Sequence, residues 1–154
     1  MNLQPIGLAC DHAGYETKQY VIALLEARGI PYKDFGCFST DSCDYADPAH
    51  ALGFAIDGGE LMRGIAVCGS GNGINMTLNK HQSVRSALCW SEEIARLARQ
   101  HNDANVLVMP GRFVDQPTGE AIVAAWLDTP FEGGRHERRI KKIPLAGAEG
   151  CCCK

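Results

Sequence analysis

Cys68-Gly69-Ser70-Gly71-Asn72-Gly73 gathers a thiol, a hydroxyl and three alternating glycines into six residues. The segment follows the apolar run Gly64-Ile65-Ala66-Val67 and precedes a helical pattern that starts near Ile74. Glycines so placed let backbone N–H groups approach an anion at a helix N-terminus. A cysteine in the same field can have its thiolate stabilised, which makes it a base or a nucleophile. The plain structural alternative is a glycine turn for tight strand–helix packing, but Cys68 and Ser70 favour an anion loop. A dinucleotide fingerprint needs glycine where Ile74 stands and usually opens the first strand–helix unit. Glu92 lies at roughly the spacing of a ribose-binding acid, so that reading stays open. The Gly-Lys-Ser/Thr of a Walker loop is absent.

The surrounding elements must position this loop. Leu3 to Ala9 reads as a strand, Tyr15 to Arg28 as a helix ended by Gly29, and Ile30 to Phe35 as a second strand. Pro48 to Glu60 reads as a helix, Gly64 to Val67 as a strand and Ile74 to Lys80 as a helix. Val84 to Leu88 is a fourth strand, Ser91 to Gln100 a helix capped by Ser91, and Asn105 to Met109 a fifth strand. Thr118 to Leu127 and the basic Glu137 to Lys142 complete the helices. Strands alternating with helices imply an α/β chain with a five-stranded parallel sheet covered on both faces, a Rossmann-like α/β/α sandwich. Ligands of such sheets bind at the carboxyl ends of the strands. Asp11-His12, Cys68 to Gly73 and Gly111-Arg112 all follow strands and face that edge.

Composition bounds the function. The 154 residues are 45% hydrophobic and 21% charged, with a net charge of -3. That suits one domain with a real core and offers no electrostatic case for nucleic acid. No apolar stretch approaches the ~18 residues of a membrane span. Met1 to Pro5 lacks the charged and apolar regions of a secretory signal, so a cytoplasmic protein is expected. The eight cysteines are then expected as reduced thiols, with no C-x-x-C pair to suggest zinc. Asp41, Asp44 and Asp47 read as ordinary turn residues rather than metal ligands. Ala146 to Lys154, with Cys151, Cys152 and Cys153, reads as a disordered reactive tail, since its last residues match a prenylation box poorly.

Three further motifs carry two readings each. Asp11-His12 either caps the first helix or places an imidazolium near a phosphate. His101-Asn102-Asp103 lies between a helix and the fifth strand, at the edge opposite Cys68, where a lone His is commonly structural. Arg135, Arg138, Arg139, Lys141 and Lys142 form a solvated basic face, although Gly133-Gly134 is a flexible lead-in that could deliver arginines to a phosphate.

Taken in order, Cys10-Asp11-His12-Ala13-Gly14, Asp44-Tyr45, Cys68 to Gly73, Arg99 to Asp103 with Asn105-Val106-Leu107, Gly111-Arg112 and Glu132 to His136 resemble the type B ribose-5-phosphate isomerases. These stand within the wider group that includes galactose- and allose-6-phosphate isomerases. The resemblance spans roughly residues 3 to 143, so residues 1–145 are expected as one isomerase domain. It implies cofactor-free interconversion of ribose 5-phosphate and ribulose 5-phosphate through an enediolate, in the pentose phosphate pathway.

Carried over by position, Cys68 is the base between C2 and C1. Some members use a glutamate just after the glycine loop, where this chain has Ile74. The N–H groups of Gly69, Gly71, Asn72 and Gly73 would stabilise the enediolate, with Ser70 at a sugar oxygen. Asp11 and Tyr45 would contact the sugar, and His101 would open the furanose. Asn102 would bind substrate, and His12, Arg112, Arg135 and Arg139 would hold the phosphate. Where members often have proline after Asp-Tyr, this chain has Ala46-Asp47-Pro48. His101 and Arg135 could reach Cys68 only from a neighbouring chain, so a homodimer with shared sites is expected. The rivals are a hexose-6-phosphate isomerase and a non-catalytic phosphosugar-binding module.

Overall fold

A computed structural model describes residues 4–145; the cysteine-rich tail falls outside the described residues. The elements run β1 (Ile6–Cys10), α1 (Tyr15–Ala27), β2 (Tyr32–Asp34), α2 (Ala46–Asp57), β3 (Arg63–Cys68) and α3 (Asn72–Leu78). They continue with β4 (Ser86–Leu88), α4 (Glu92–Asn102), β5 (Val106–Pro110), α5 (Gln116–Asp128) and α6 (Arg135–Ile140). Every strand and helix expected from periodicity is present, with ends shifted by a few residues. The five strands form one all-parallel sheet in the order β2-β1-β3-β5-β4.

That order places a switch between β1 and β3. From β1 the chain first steps outward to β2, then returns to the other side of β1 as β3. Crossovers on the two sides of that point cover opposite faces, so the loops after β1 and β3 diverge and leave a crevice. Asp11 and Cys68, which directly follow and end those strands, therefore flank the crevice.

Strand alternation sorts the core into two layers. Ile6, Leu8 and Cys10 of β1, Ile65 and Val67 of β3, and Leu107 and Met109 of β5 pack against α1, α4 and α5. Ala9, Ala66, Cys68, Val106 and Val108 point to the opposite face, under α2 and α3. Gly7 and Gly64 are register partners on that second face. A Cβ at either would run into the side chain of Leu52 from α2. Two missing side chains thus admit one fully buried leucine, which brings α2 down onto the sheet.

The expectation of uniformly reduced cysteines is corrected on one pair. Cys37 and Cys43 are joined by a disulfide with their Cα atoms 6.9 Å apart. The polar loop between them doubles back, which sequence spacing does not reveal. Cys10, Cys68 and Cys89 are free and buried.

Lys18 of α1 is 1% exposed. Its Nζ donates to both carboxylate oxygens of Asp34 at 2.7 Å and to the Cys37 carbonyl at 2.6 Å. A buried ammonium is tolerated only when its donors are satisfied, and here all three are. The pair ties α1 to the end of β2 and to the loop that follows it.

Leu52→Ala tests the second layer. With glycines facing it, the site cannot collapse onto neighbouring side chains, so the loss should lie near the upper part of the usual range, about 4 kcal/mol. Urea unfolding of the two proteins measures it; a loss below about 2 kcal/mol would show that α2 resettles.

Candidate active site

At the carboxyl edge, β3 ends on Cys68, which is 3% exposed beneath the start of α3. The chain then crosses Gly69 and Ser70 to Gly71, whose φ of 77° caps α3. That left-handed conformation is open to glycine at little cost. A Cβ there would also displace the end of the Leu88 side chain. Ser70 Oγ accepts from the Asn72 N–H and from Asn72 Nδ2, both at 3.4 Å. The first N–H groups of a helix have no intrahelical acceptors; that of Asn72 is taken by Ser70 Oγ, and those of Gly73 and Ile74 remain to serve an anion.

The neighbouring strands bring the other residues of this edge together. Asp11 N–H donates to the Val67 carbonyl, and Asp11 Oδ1 accepts from the Gly14 N–H at 2.9 Å. That contact caps the single tight turn His12–Gly14 ahead of α1, whereas α1 itself starts from Gly14 without a side-chain cap, so Asp11 does not cap the first helix. Gly111 N–H donates to the Cys68 carbonyl and Arg112 N–H to the Gly69 carbonyl. The Arg112 side chain runs over Gly69, within 3.5 Å of where a Cβ would stand. Tyr45 lies just before α2 with its ring against Gly73, in the space a side chain there would fill. His12 Nδ1 is 3.3 Å from the Cys43 N–H, which donates to it. Asp11, His12, Tyr45, Arg112 and the whole glycine loop thus share one edge.

His101, Asn102, Arg135 and Arg139 do not join them. His101 and Asn102 form the last turn of α4, which feeds the amino-terminal end of β5. Val106 pairs with Gly64, while Pro110 pairs with Cys68. Four strand steps, about 13 Å, separate the two edges. The turn is held firmly. Asp103 adopts φ 45° at the helix end, Arg99 Nη1 donates to its carboxylate at 2.8 Å, and Arg85 Nη2 donates to its carbonyl at 2.9 Å. Asn105 accepts from the Arg85 N–H and donates to the Ser83 carbonyl. Arg99, Asp103 and Asn105 of the motif thus brace the turn that presents His101. His101 stacks on His136 with centroids 4.4 Å apart, and Arg135 opens α6 beside it.

Of the free thiols, Cys10 and Cys89 are unsuited to act as bases. Burial pushes Cys10 up to about 11, against the opposing charge of Lys18, and pushes Cys89 up to about 12. A cavity of about 560 Å³ opens in the loop between β2 and α2, lined by Phe35 to Ser39, Cys43, Asp44 and Asp47 among others. Cys68 does not line it.

The sequence reading missed Lys18 and Asp34, which position the loop beside His12. A lysine at an otherwise apolar helix position was the available signal. It also missed His136, whose burial depends on α4 and α6 meeting.

Residues 6–143 match the Ribose/Galactose Isomerase family. The chain belongs to that family. It is 39% identical over 141 residues to ribose-5-phosphate isomerase B of Escherichia coli K12, covering 92% of this chain and 95% of that one. The crystal structure of a Thermotoga maritima ribose 5-phosphate isomerase superposes with a TM-score of 0.89 at 43% identity, covering 93% and 99% of the two chains. The Mycoplasma genitalium ribose-5-phosphate isomerase B, solved with bound ribulose 5-phosphate, gives a TM-score of 0.87 at 38% identity over 93% and 95%. Family membership makes the ordered motifs the stronger reading over the dinucleotide alternative. Among the described residues no helix is long and apolar enough to cross a membrane.

The thiol assignment can be checked directly. At pH 8 the folded protein should leave Cys10 and Cys89 unlabelled by iodoacetamide in peptide mapping, because so little of either is thiolate below its raised pKa. Labelling of either at the rate of free cysteine would contradict their burial.

Proposed function

We propose that the chain interconverts ribose 5-phosphate and ribulose 5-phosphate through an enediolate, with Cys68 as the base. The observation that carries this reading is the placement of Cys68 at the β1/β3 crevice, inside a glycine loop, in a member of an aldose–ketose isomerase family. The Cys68 thiolate removes the proton from C2 and returns it to C1, while the hydroxyl proton of O2 passes to O1. Negative charge builds on the oxygens between those steps. The N–H groups of Gly69, Gly71 and Gly73 meet it, joined by that of Asn72 once it releases Ser70 Oγ. Asp11 and Tyr45 orient the sugar. His12 and Arg112 take the phosphate from this edge. No step requires a cofactor.

His101, Asn102, Arg135 and Arg139 complete the site from a second copy of the chain. The separation of the two edges supports this reading, and so does a collar of exposed apolar side chains. Phe38, Met76, Trp90 and Phe113 are 71%, 64%, 57% and 77% exposed. Phe38, Trp90 and Phe113 follow strands β2, β4 and β5 at the carboxyl edge, and Met76 lies one turn into α3, which starts there. A partner seated on that collar buries it and brings a ring-opening His101 and two arginines to the substrate.

Turnover of ribose 5-phosphate tests the chemistry. Cys68→Ala should lower kcat by roughly 10²–10⁴-fold, the range for loss of a positioned base. Full activity in that variant would sink the assignment, and predominant turnover of allose 6-phosphate would move the substrate to a hexose phosphate. Sharing is tested by subunit exchange between Cys68→Ala and His101→Ala proteins. Each mixed dimer holds one intact site of two, so activity should return to roughly half of wild type per mixed dimer. Mixed dimers that stay inactive would refute sharing.

A further inference from the structure

Where the last turn of α4 meets α6, a cluster forms that the proposed isomerisation does not fully use. His101, Glu132 and His136 each bring one donor atom within 4.8 Å of the others. The two imidazoles stack at 4.4 Å, 11° from parallel. Glu132 Oε2 lies 3.6 Å from His136 Nε2. His136 is 6% exposed, and its buried Nε2 has no hydrogen-bond partner among the described residues. Buried polar atoms are rarely left unpaired, and this one stands between a carboxylate and a second imidazole.

We propose that His101, Glu132 and His136 form a site for a divalent transition-metal ion of the zinc type. Two imidazoles and one carboxylate are a donor set that zinc accepts with an open coordination position. Imidazole donors disfavour magnesium and calcium, which take oxygen ligands. Arg135 and Arg139 add positive charge nearby, and the stacked rings must splay for both nitrogens to face one ion. Both effects hold the affinity to a modest level, suited to reversible occupancy. A bound ion withdraws His101 from proton transfer and so inhibits the enzyme. That consequence, unlike the binding itself, rests on the ring-opening role proposed for His101.

Cobalt(II), a coloured stand-in for zinc, separates this site from the cysteines. Titrated into the full-length protein, it should give d–d absorption saturating at one ion per chain, without thiolate charge-transfer bands, and zinc should displace it. Glu132→Gln, at a half-exposed surface position, should retain metal-free turnover. That variant and His136→Gln should each weaken cobalt binding roughly tenfold or more, and raise the zinc concentration that halves turnover by the same factor. Circular dichroism confirms that each variant is folded. Charge-transfer bands alone, or unchanged cobalt affinity in folded Glu132→Gln, would overturn the site. Binding that both variants lose, with turnover unaffected by zinc, would support the site and overturn the role given to His101.

Discussion

The parallel pairing of β1 with β3 is the constraint on which the rest of this molecule depends. Once Ile6 to Cys10 lie in register with Arg63 to Val67, the loops after both strands must leave the sheet at the same edge. The reversal of strand order at that point sends their helices to opposite faces. The result is a crevice whose walls are the Asp11 turn and the glycine loop. No side chain needs to hold it open, because diverging backbone does so.

Around that crevice the chain uses absence as much as presence. Gly7 and Gly64 have no side chains, so Leu52 descends onto the sheet. Gly71 has none, so the chain can turn left-handed under Leu88, and Gly73 has none, so the Tyr45 ring can lie against the loop. The polar contributions are fewer and more costly to bury. Lys18 is the clearest case: its ammonium is buried only because Asp34 and the Cys37 carbonyl absorb all three donors. It thereby fixes the loop from which Cys43 reaches His12. Stability and site geometry meet in that one side chain.

The two edges of the sheet divide the labour. The carboxyl edge carries Cys68, the proposed base, with the glycine loop, His12 and Arg112. The amino edge carries His101 on a turn braced by Arg85, Arg99 and Asp103, with the arginines of α6 alongside. With the proposed acid and the proposed base about 13 Å of strand apart, the proposed chemistry needs a second chain. Association then becomes part of the proposed catalysis rather than an addition to it. It also leaves His101 beside His136 and Glu132 at an edge where another ligand can compete for it.

The sequence by itself determined the order and type of the elements, because alternation in the strands and helical spacing between them are local properties. It also placed Cys68, Asp11 and Arg112 on one edge, since each follows a parallel strand. It could not show that Cys37 and Cys43 would pair, that Lys18 would be buried against Asp34, or that His136 would stack on His101. Those contacts join residues distant in the chain, or a loop whose path is set by what it packs on, and local pattern carries no information about such meetings. Tertiary structure decided them, because only the packed sheet and helices specify which side chains share a volume too small to hold water.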